Sequence, residues 1–216
     1  MRKQGRMAFL SYSQAGQLLS RYKLPIVKSV MAHSEAQALK AASAVGYPVV
    51  FKAISPDVVH KSDKGLVMLD LKSVDEAKAA YALLSKRARK LKLEGILVMK
   101  MALGLELIIG MKRDAQFGPA IMFGLGGIFV EAIKEVTFRI TPVSSKDALE
   151  MIRESSAYGI LSGARSQKYD VNGLANIIVK LSRLASENSN IDEVDFNPVI
   201  VNAGSAEIVD VRVRQG

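Results

Sequence analysis

The chain has 216 residues, a formal net charge of +9 and no cysteine. Disulfides and thiolate metal sites are therefore excluded, and two histidines, His33 and His60, are too few for a histidine-rich metal centre. A composition 49% hydrophobic and 24% charged is enough for one domain or two small lobes with a real core, and the positive charge suits phosphorylated ligands, nucleic acid or anionic lipid.

Ala15, Leu18, Leu19 and Tyr22 recur at helical spacing and predict an N-terminal helix within 11–23, capped by Ser11 or Ser13 and ended at Leu24-Pro25. A short strand over 26–30 follows, then a helix over 34–45 with Ser34 as N-cap, Gln37 at the capping-box position and Gly46 as the stop. Apolar runs predict strands over 48–53 and 65–71, and Ser73 with Glu76 opens a long helix over 73–91. Segments 95–101 and 105–112 read as paired strands joined by Ala102-Leu-Gly104, and 119–123 as a strand running into Gly124-Leu-Gly-Gly127 and the apolar run 128–133. A helix over 145–155, with Ser145 as its cap, precedes the longest helix, 170–187, whose stripe is Leu174, Ile177, Ile178, Leu181 and Leu184. Strands over 191–196, 198–202 and 207–213 close the chain, the last two as a hairpin about Ala203-Gly-Ser205. The class is α/β (α+β), and a change from strand–helix alternation to hairpins near Glu94-Gly95 divides it into lobes 25–94 and 95–216. The most apolar stretch, Ile96 to Met111, is broken by Lys100 and Glu106 and falls short of the ~20 residues of a membrane span. The basic start lacks the apolar core of a secretory signal, so the expected location is the cytoplasm, without a membrane.

Lys52 sits between apolar neighbours on a strand, where its amine must meet an anion or snorkel to an edge. His60 follows in a polar turn with Lys61, Ser62, Asp63 and Lys64. It is either a surface histidine or a nucleophile toward phosphorus, since imidazole is largely neutral near pH 7. Asp195 and Asn197 in Asp195-Phe-Asn-Pro198 alternate onto one strand face, and the hairpin brings Asp210 beside Asn197. Hard oxygen ligands on adjacent strands, completed by phosphates, suit Mg²⁺. Glu106 is a lone carboxylate in an apolar strand, calling for a ribose hydroxyl or a basic partner. Arg139 is a lone cation that could face phosphate. The four-residue glycine motif is neither a Walker A loop nor a dinucleotide fingerprint; it is a tight turn or a place of close phosphate approach.

These segments resemble the ATP-grasp β subunits of ADP-forming acyl-CoA synthetases, the acetate–CoA ligases (ADP-forming) above all, and more distantly succinyl-CoA synthetase β subunits. The likeness rests on Lys52 with Ser55-Pro-Asp57, His60-Lys-Ser-Asp63, Glu106 with Gly110, Phe117-Gly-Pro119, Phe123-Gly-Leu-Gly-Gly-Ile128, Val130-Glu131, Phe138-Arg139, Asp195 with Asn197-Pro198, and Asp210. It implies an ATP-grasp fold of two lobes with ATP or ADP between them, and the reaction acyl-CoA + phosphate + ADP ⇌ acid + CoA + ATP. It also implies an α subunit that binds CoA and carries a phosphorylated histidine, in an α₂β₂ heterotetramer. By resemblance, Lys52 holds ATP phosphates, and Val98, Met99, Lys100 and Met101 form the hinge whose backbone reads adenine. Glu106 binds ribose, and Asn197 and Asp210 hold Mg²⁺. Asp195 steadies the phosphohistidine, and His60 is a second phosphoryl relay. The sequence departs from the family at Leu66, where a second glycine is usual after Asp63, at Ser166 after Gly163-Ala-Arg165, and at Ser13-Gln14, which stands where a glutamate is common. Two other readings are a stand-alone ATP-grasp ligase working through an acyl phosphate, and a nucleic-acid-binding module. The second rests on charge alone, because 6% aromatic residues do not interleave with the cations.

Overall fold

The computed structural model describes residues 8–56, 58, 64–127, 136–163 and 168–216. His60 to Asp63, Ile128 to Ala132 and Arg165-Ser166 therefore lie outside the described residues, and with them the histidine expected to be a relay, the run after the glycines and one departure from the resembled pattern. Two compact units form, one from Val27–Ala102 and the other from Met1–Ile26 with Leu103–Gly216. The chain is of mixed α/β type, with two sheets of antiparallel strands.

In the smaller unit β2 (Ser29–Ala32), β3 (Val49–Ile54), β4 (Val67–Leu71) and β5 (Gly95–Lys100) make an antiparallel sheet of order β2-β5-β3-β4. Helices α2 (Glu35–Val45) and α3 (Val74–Arg87) are opened by Ser34 and Ser73, whose side chains accept from Gln37 N and Glu76 N. Both helices bring alanines to the sheet, and the core between them holds Phe51, Ala53, Ile96, Val98, Leu66 and Leu84. Leu66 thus fills core volume that a glycine would leave empty. Its carbonyl also accepts from Ala53 N at 2.9 Å.

In the larger unit the strands are β1 (Ala8–Phe9), β6 (Leu105–Asp114), β7 (Gly118–Leu125), β8 (Val136–Ile140), β9 (Ile191–Val201), β10 (Ala206–Ile208) and β11 (Val211–Gln215). Their order is β1-β11-β9-β6-β7-β8, with β10 beside β9. One face is covered by α1 (Tyr12–Arg21), α4 (Ser145–Glu154) and α6 (Val171–Glu187), while α5 (Tyr158–Leu161) is a short connector. Leu107, Ile109, Met111, Ile121, Phe123, Val194, Phe196, Val199 and Val201 all belong to that helix-covered core. Ser182, buried on α6, accepts from Val143 N at 2.8 Å. The Arg113 guanidinium donates to the carbonyls of Ala185, Asn188 and Ile191, tying the end of α6 to the start of β9.

Several expectations are corrected by the pairing. The 95–100 strand does not pair with 105–114: β5 lies between β2 and β3, and β6 between β9 and β7. The border between compact units is accordingly after Ala102, not near residue 94, and the N-terminal helix belongs with the C-terminal part. At Gly104 a Cβ would collide with the Val201 carbonyl, so glycine lets the chain pass close over β9. Helix α4 is capped by Ser144 rather than Ser145. That shift puts Asp147, not Ala148, in the capping box. The expected strand over 207–213 breaks at Val209-Asp210, opposite an irregularity in β9.

That irregularity is a bulge. Leu107 faces Val199 but Ile109 faces Phe196, so Asn197 and Pro198 stand against Ile108 alone. The extra residue switches the alternation of β9, which lets Val194 and Phe196 before it, and Val199 and Val201 after it, all reach the same core. Among the described residues no helix is long and apolar enough to cross a membrane.

Candidate functional site

Alternation sends the remaining residues of the larger sheet to its other face, away from the helices. There Asp195 on β9 is paired with Arg212 on β11 on one side and with Gly110 on β6 on the other. The next row along holds Asn197 and Asp210, joined by a backbone hydrogen bond from Asn197 N to Asp210 O of 3.2 Å. Asn197 is exposed and Asp210 half-buried, with Asp210 Oδ1 also accepting from Val211 N at 3.0 Å. The bulge and the strand break meet at this row, so two side chains with hard oxygen donors stand on adjacent, locally irregular strands. Among the described residues no cluster of three or more His, Cys, Asp or Glu side chains converges. Two protein ligands leave the other positions to water and phosphate, which is the usual way Mg²⁺ is held beside a nucleotide. The pair therefore fits a magnesium ion.

Glu106, on the same face as Asp195, stands opposite Ile200. The glycine motif packs directly on it. Gly126 N donates to Glu106 O at 2.9 Å, and a Cβ at Gly126 would come within 3.0 Å of the Glu106 and Leu107 backbone. At Gly127, φ is +63° and a Cβ would lie 2.6 Å from Glu106 Oε2. The glycines are thus explained by close approach to their own sheet, and they leave the Glu106 carboxylate held along the turn.

Arg139 goes elsewhere. It shares a strand face with Thr137, whose hydroxyl donates to Met151 O of α4, and its guanidinium pairs with Glu154 of the same helix at 2.7 Å. It lies on the helix side of the sheet, opposite to the face of Asp195 and Asn197, so its charge is matched by a protein carboxylate.

In the smaller unit Lys52 is only 6% exposed. Val49, Phe51 and Ala53 face the helices, which puts Lys52 with Val50 on the opposite side of the sheet, beside Leu97 and Val67. The expected hinge divides. Val98 and Met99 are buried inside β5 with ladder partners on both sides. Lys100 N donates to Lys28 O at 3.2 Å and Met101 N to Pro48 O at 3.1 Å. The N–H groups of these two expected hinge positions are therefore taken. Arg87 of α3 donates to Gly65 O at 2.7 Å.

Arg212 had escaped notice in the sequence, although its alternation with Asp210 in Val209-Asp-Val-Arg-Val213 signals a shared face.

Residues 1–214 match the ATP-grasp domain family. The chain is 46% identical over 206 residues to the β subunit of acetate–CoA ligase [ADP-forming] I of Pyrococcus furiosus, spanning 93% of this chain and 89% of that one. It superposes with a TM-score of 0.92 and 40% identity on acetyl-coenzyme A synthetase 1 of Ca. Korarchaeum cryptofilum in complex with coenzyme A, Ca-AMPCP and HgCl⁺, covering 97% and 94% of the two chains. The same protein with coenzyme A and Mg-AMPPCP, its phosphohistidine segment pointing towards the nucleotide-binding site, matches with a TM-score of 0.84, 38% identity and coverage of 96% and 92%. The chain belongs to the ATP-grasp family, and within it to the β subunits of ADP-forming acetate–CoA ligases.

Proposed function

We propose that this chain is the nucleotide-binding β subunit of an ADP-forming acyl-CoA synthetase and that it moves a phosphoryl group between a phosphohistidine and ADP. The near end-to-end likeness to a β subunit of that ligase carries the reading, and the row of Asp195, Asn197 and Asp210 on one face supports it. In the direction of ATP synthesis the N–P bond of phosphohistidine breaks, an O–P bond to the terminal phosphate of ADP forms, and the imidazole takes up a proton.

Asn197 and Asp210 would hold Mg²⁺, which would neutralise charge on the nucleotide phosphates and so lessen their repulsion of the incoming phosphoryl group. Asp195 orients the imidazole by accepting its N–H. Lys52 is the buried cation for the nucleotide phosphates, and Glu106 accepts from ribose hydroxyls. The main chain at Lys100–Met101 borders the base, with Val98 and Met99 supporting it from within the sheet. Arg139 is omitted from this set because Glu154 occupies it. His60 serves as a phosphoryl relay on this subunit. The partner is an α subunit that binds CoA and carries the phosphorylated histidine, in an α₂β₂ assembly in the cytoplasm.

The test is direct. The purified chain should bind Mg-ADP by calorimetry yet form no acyl-CoA until its partner is added, and mass measurement of the reconstituted complex should give two copies of each. Robust acyl-CoA formation by the chain alone would sink the two-subunit reading. An acid-labile, base-stable phosphate label on the chain that disappears in His60→Ala supports the relay, and a label that persists removes it.

A further inference from the structure

Outside the expected ligands, Arg212 stands on the face of Asp195 with no ion pair among the described residues. Arg212 is the direct cross-strand neighbour of Asp195. Its flanking residues, Val211 and Val213, both belong to the helix-side core, so Arg212 is on the open face. It is two residues from Asp210, which along a strand is roughly 7 Å between Cα atoms. One row further from the metal pair, Arg214 meets Glu193 in an ion pair of 2.7 Å, while among the described residues Arg212 has no ion pair and no side-chain hydrogen bond. Arg212 is nonetheless half-buried. A guanidinium withdrawn from water normally finds an anion, and its planar fork matches two oxygens of a phosphoryl group. Across β9 the residue opposite Asp195 is Gly110, against which the Met122 side chain of the next strand lies.

We propose that Arg212 is a catalytic residue that grips the phosphoryl group in transit between histidine and nucleotide. The inference rests on the phosphoryl-transfer reading above. As the N–P bond lengthens and the O–P bond to ADP forms, the three equatorial oxygens carry spread negative charge. Arg212 donates to two of them, and Asp195, the neighbouring carboxylate, is left to the imidazole N–H that appears as the bond breaks. No additional reactant is needed, and the proton taken up by histidine comes from solvent.

The experiment uses the complete complex of this chain and its partner subunit. The complex is labelled with [γ-³²P]ATP, stripped of nucleotide and chased with Mg-ADP in a rapid-quench device. Wild type must return the label to ADP. If it does not, the phosphoryl-transfer reading itself fails, whatever the variants do. Arg212→Met is expected to slow return of the label at saturating ADP at least 100-fold, with the Kd for Mg-ADP changed less than threefold and an unchanged melting temperature. Arg212→Lys should restore part of the rate, and guanidinium ion should partly rescue Arg212→Ala. Label return within threefold of wild type in Arg212→Met overturns the proposal. So does a loss of rate matched by an equal loss of ADP affinity, or one that follows a lowered melting temperature in Arg212→Lys as well, since those results assign the residue to binding or to the fold.

Discussion

At the scale of single residues, the site is built from alternation and from missing side chains. Asn197 and Asp210 are joined through their backbones, so replacing either side chain should leave the strands paired. Asn197→Ala and Asp210→Asn are each expected to raise the Kd for Mg-ADP about tenfold, near 1.4 kcal/mol, while ADP binding in excess chelator stays unchanged. Calorimetry with and without magnesium separates the two. Gly127→Ala adds a Cβ 2.6 Å from Glu106 Oε2 at a φ of +63°. It should destabilise the chain by about 1–2 kcal/mol and weaken nucleotide binding in parallel with Glu106→Ala, as read by denaturant melts and by calorimetry. The row of Asp195, Asn197 and Asp210 was legible in the sequence because a two-residue period places the first two and the hairpin places the third. The target of the glycines was not, since it depends on the register of the β6–β7 hairpin, which sets Gly126 and Gly127 against Glu106. The side of the sheet on which Arg139 lies was hidden for a related reason. A strand's period says which residues share a face but not which face the helices cover.

At the scale of elements, the local signals served well. Ser34 and Ser73 begin their helices as read, because a cap is satisfied by residues only three positions away. The error at α4 was one residue long and left its own clue, the acid at Asp147 three residues after Ser144. What could not be read locally is how elements are fastened together. Arg113 reaches three carbonyls at the junction of α6 and β9, where the helix dipole is negative. Arg113→Met should lower stability by about 2–3 kcal/mol, seen as a reduced urea midpoint with unchanged slope. Ser182→Ala leaves the Val143 N–H buried without its acceptor. It is expected to be destabilising by about 1–3 kcal/mol, and Ser182→Cys does not restore the loss, because sulfur is a weak acceptor.

At the scale of the whole molecule, the positive charge sets the response to acid. Phe117 and Gln116 N–H groups hold Asp114 below the ordinary carboxylate range, and Ser144 does the same to Asp147 through its hydroxyl and its backbone. Glu187 is lowered by Arg183 first and Tyr22 second. Each is more acidic folded than unfolded. Its contribution is therefore full above the unfolded values of about 4 and is lost as pH falls through the folded ones. Melting temperature should stay level from pH 7 to about 5 and drop below about pH 4, more gently in Asp147→Asn, which has already lost its share. The two units each own a hydrophobic core, one around Phe51 and one around Phe123. The overall class was legible in the sequence, but the unit boundary was not. β5 and β6 follow one another in the chain yet belong to different sheets, and only long-range pairing assigns them.

The bulge in β9 makes that strand a sentence with one extra letter. Downstream of Asn197-Pro198 every side chain is read in the opposite phase from upstream, and the core depends on both halves being legible at once. Deleting Asn197 would leave β9 a regular strand with Val199 and Val201 still facing the core, and would remove the row shared with Asp210. Insertions are tolerable at the Ala203-Gly-Ser205 turn, which carries no such phase. The row of Asn197 and Asp210 thus exists only where the strand carries its extra residue.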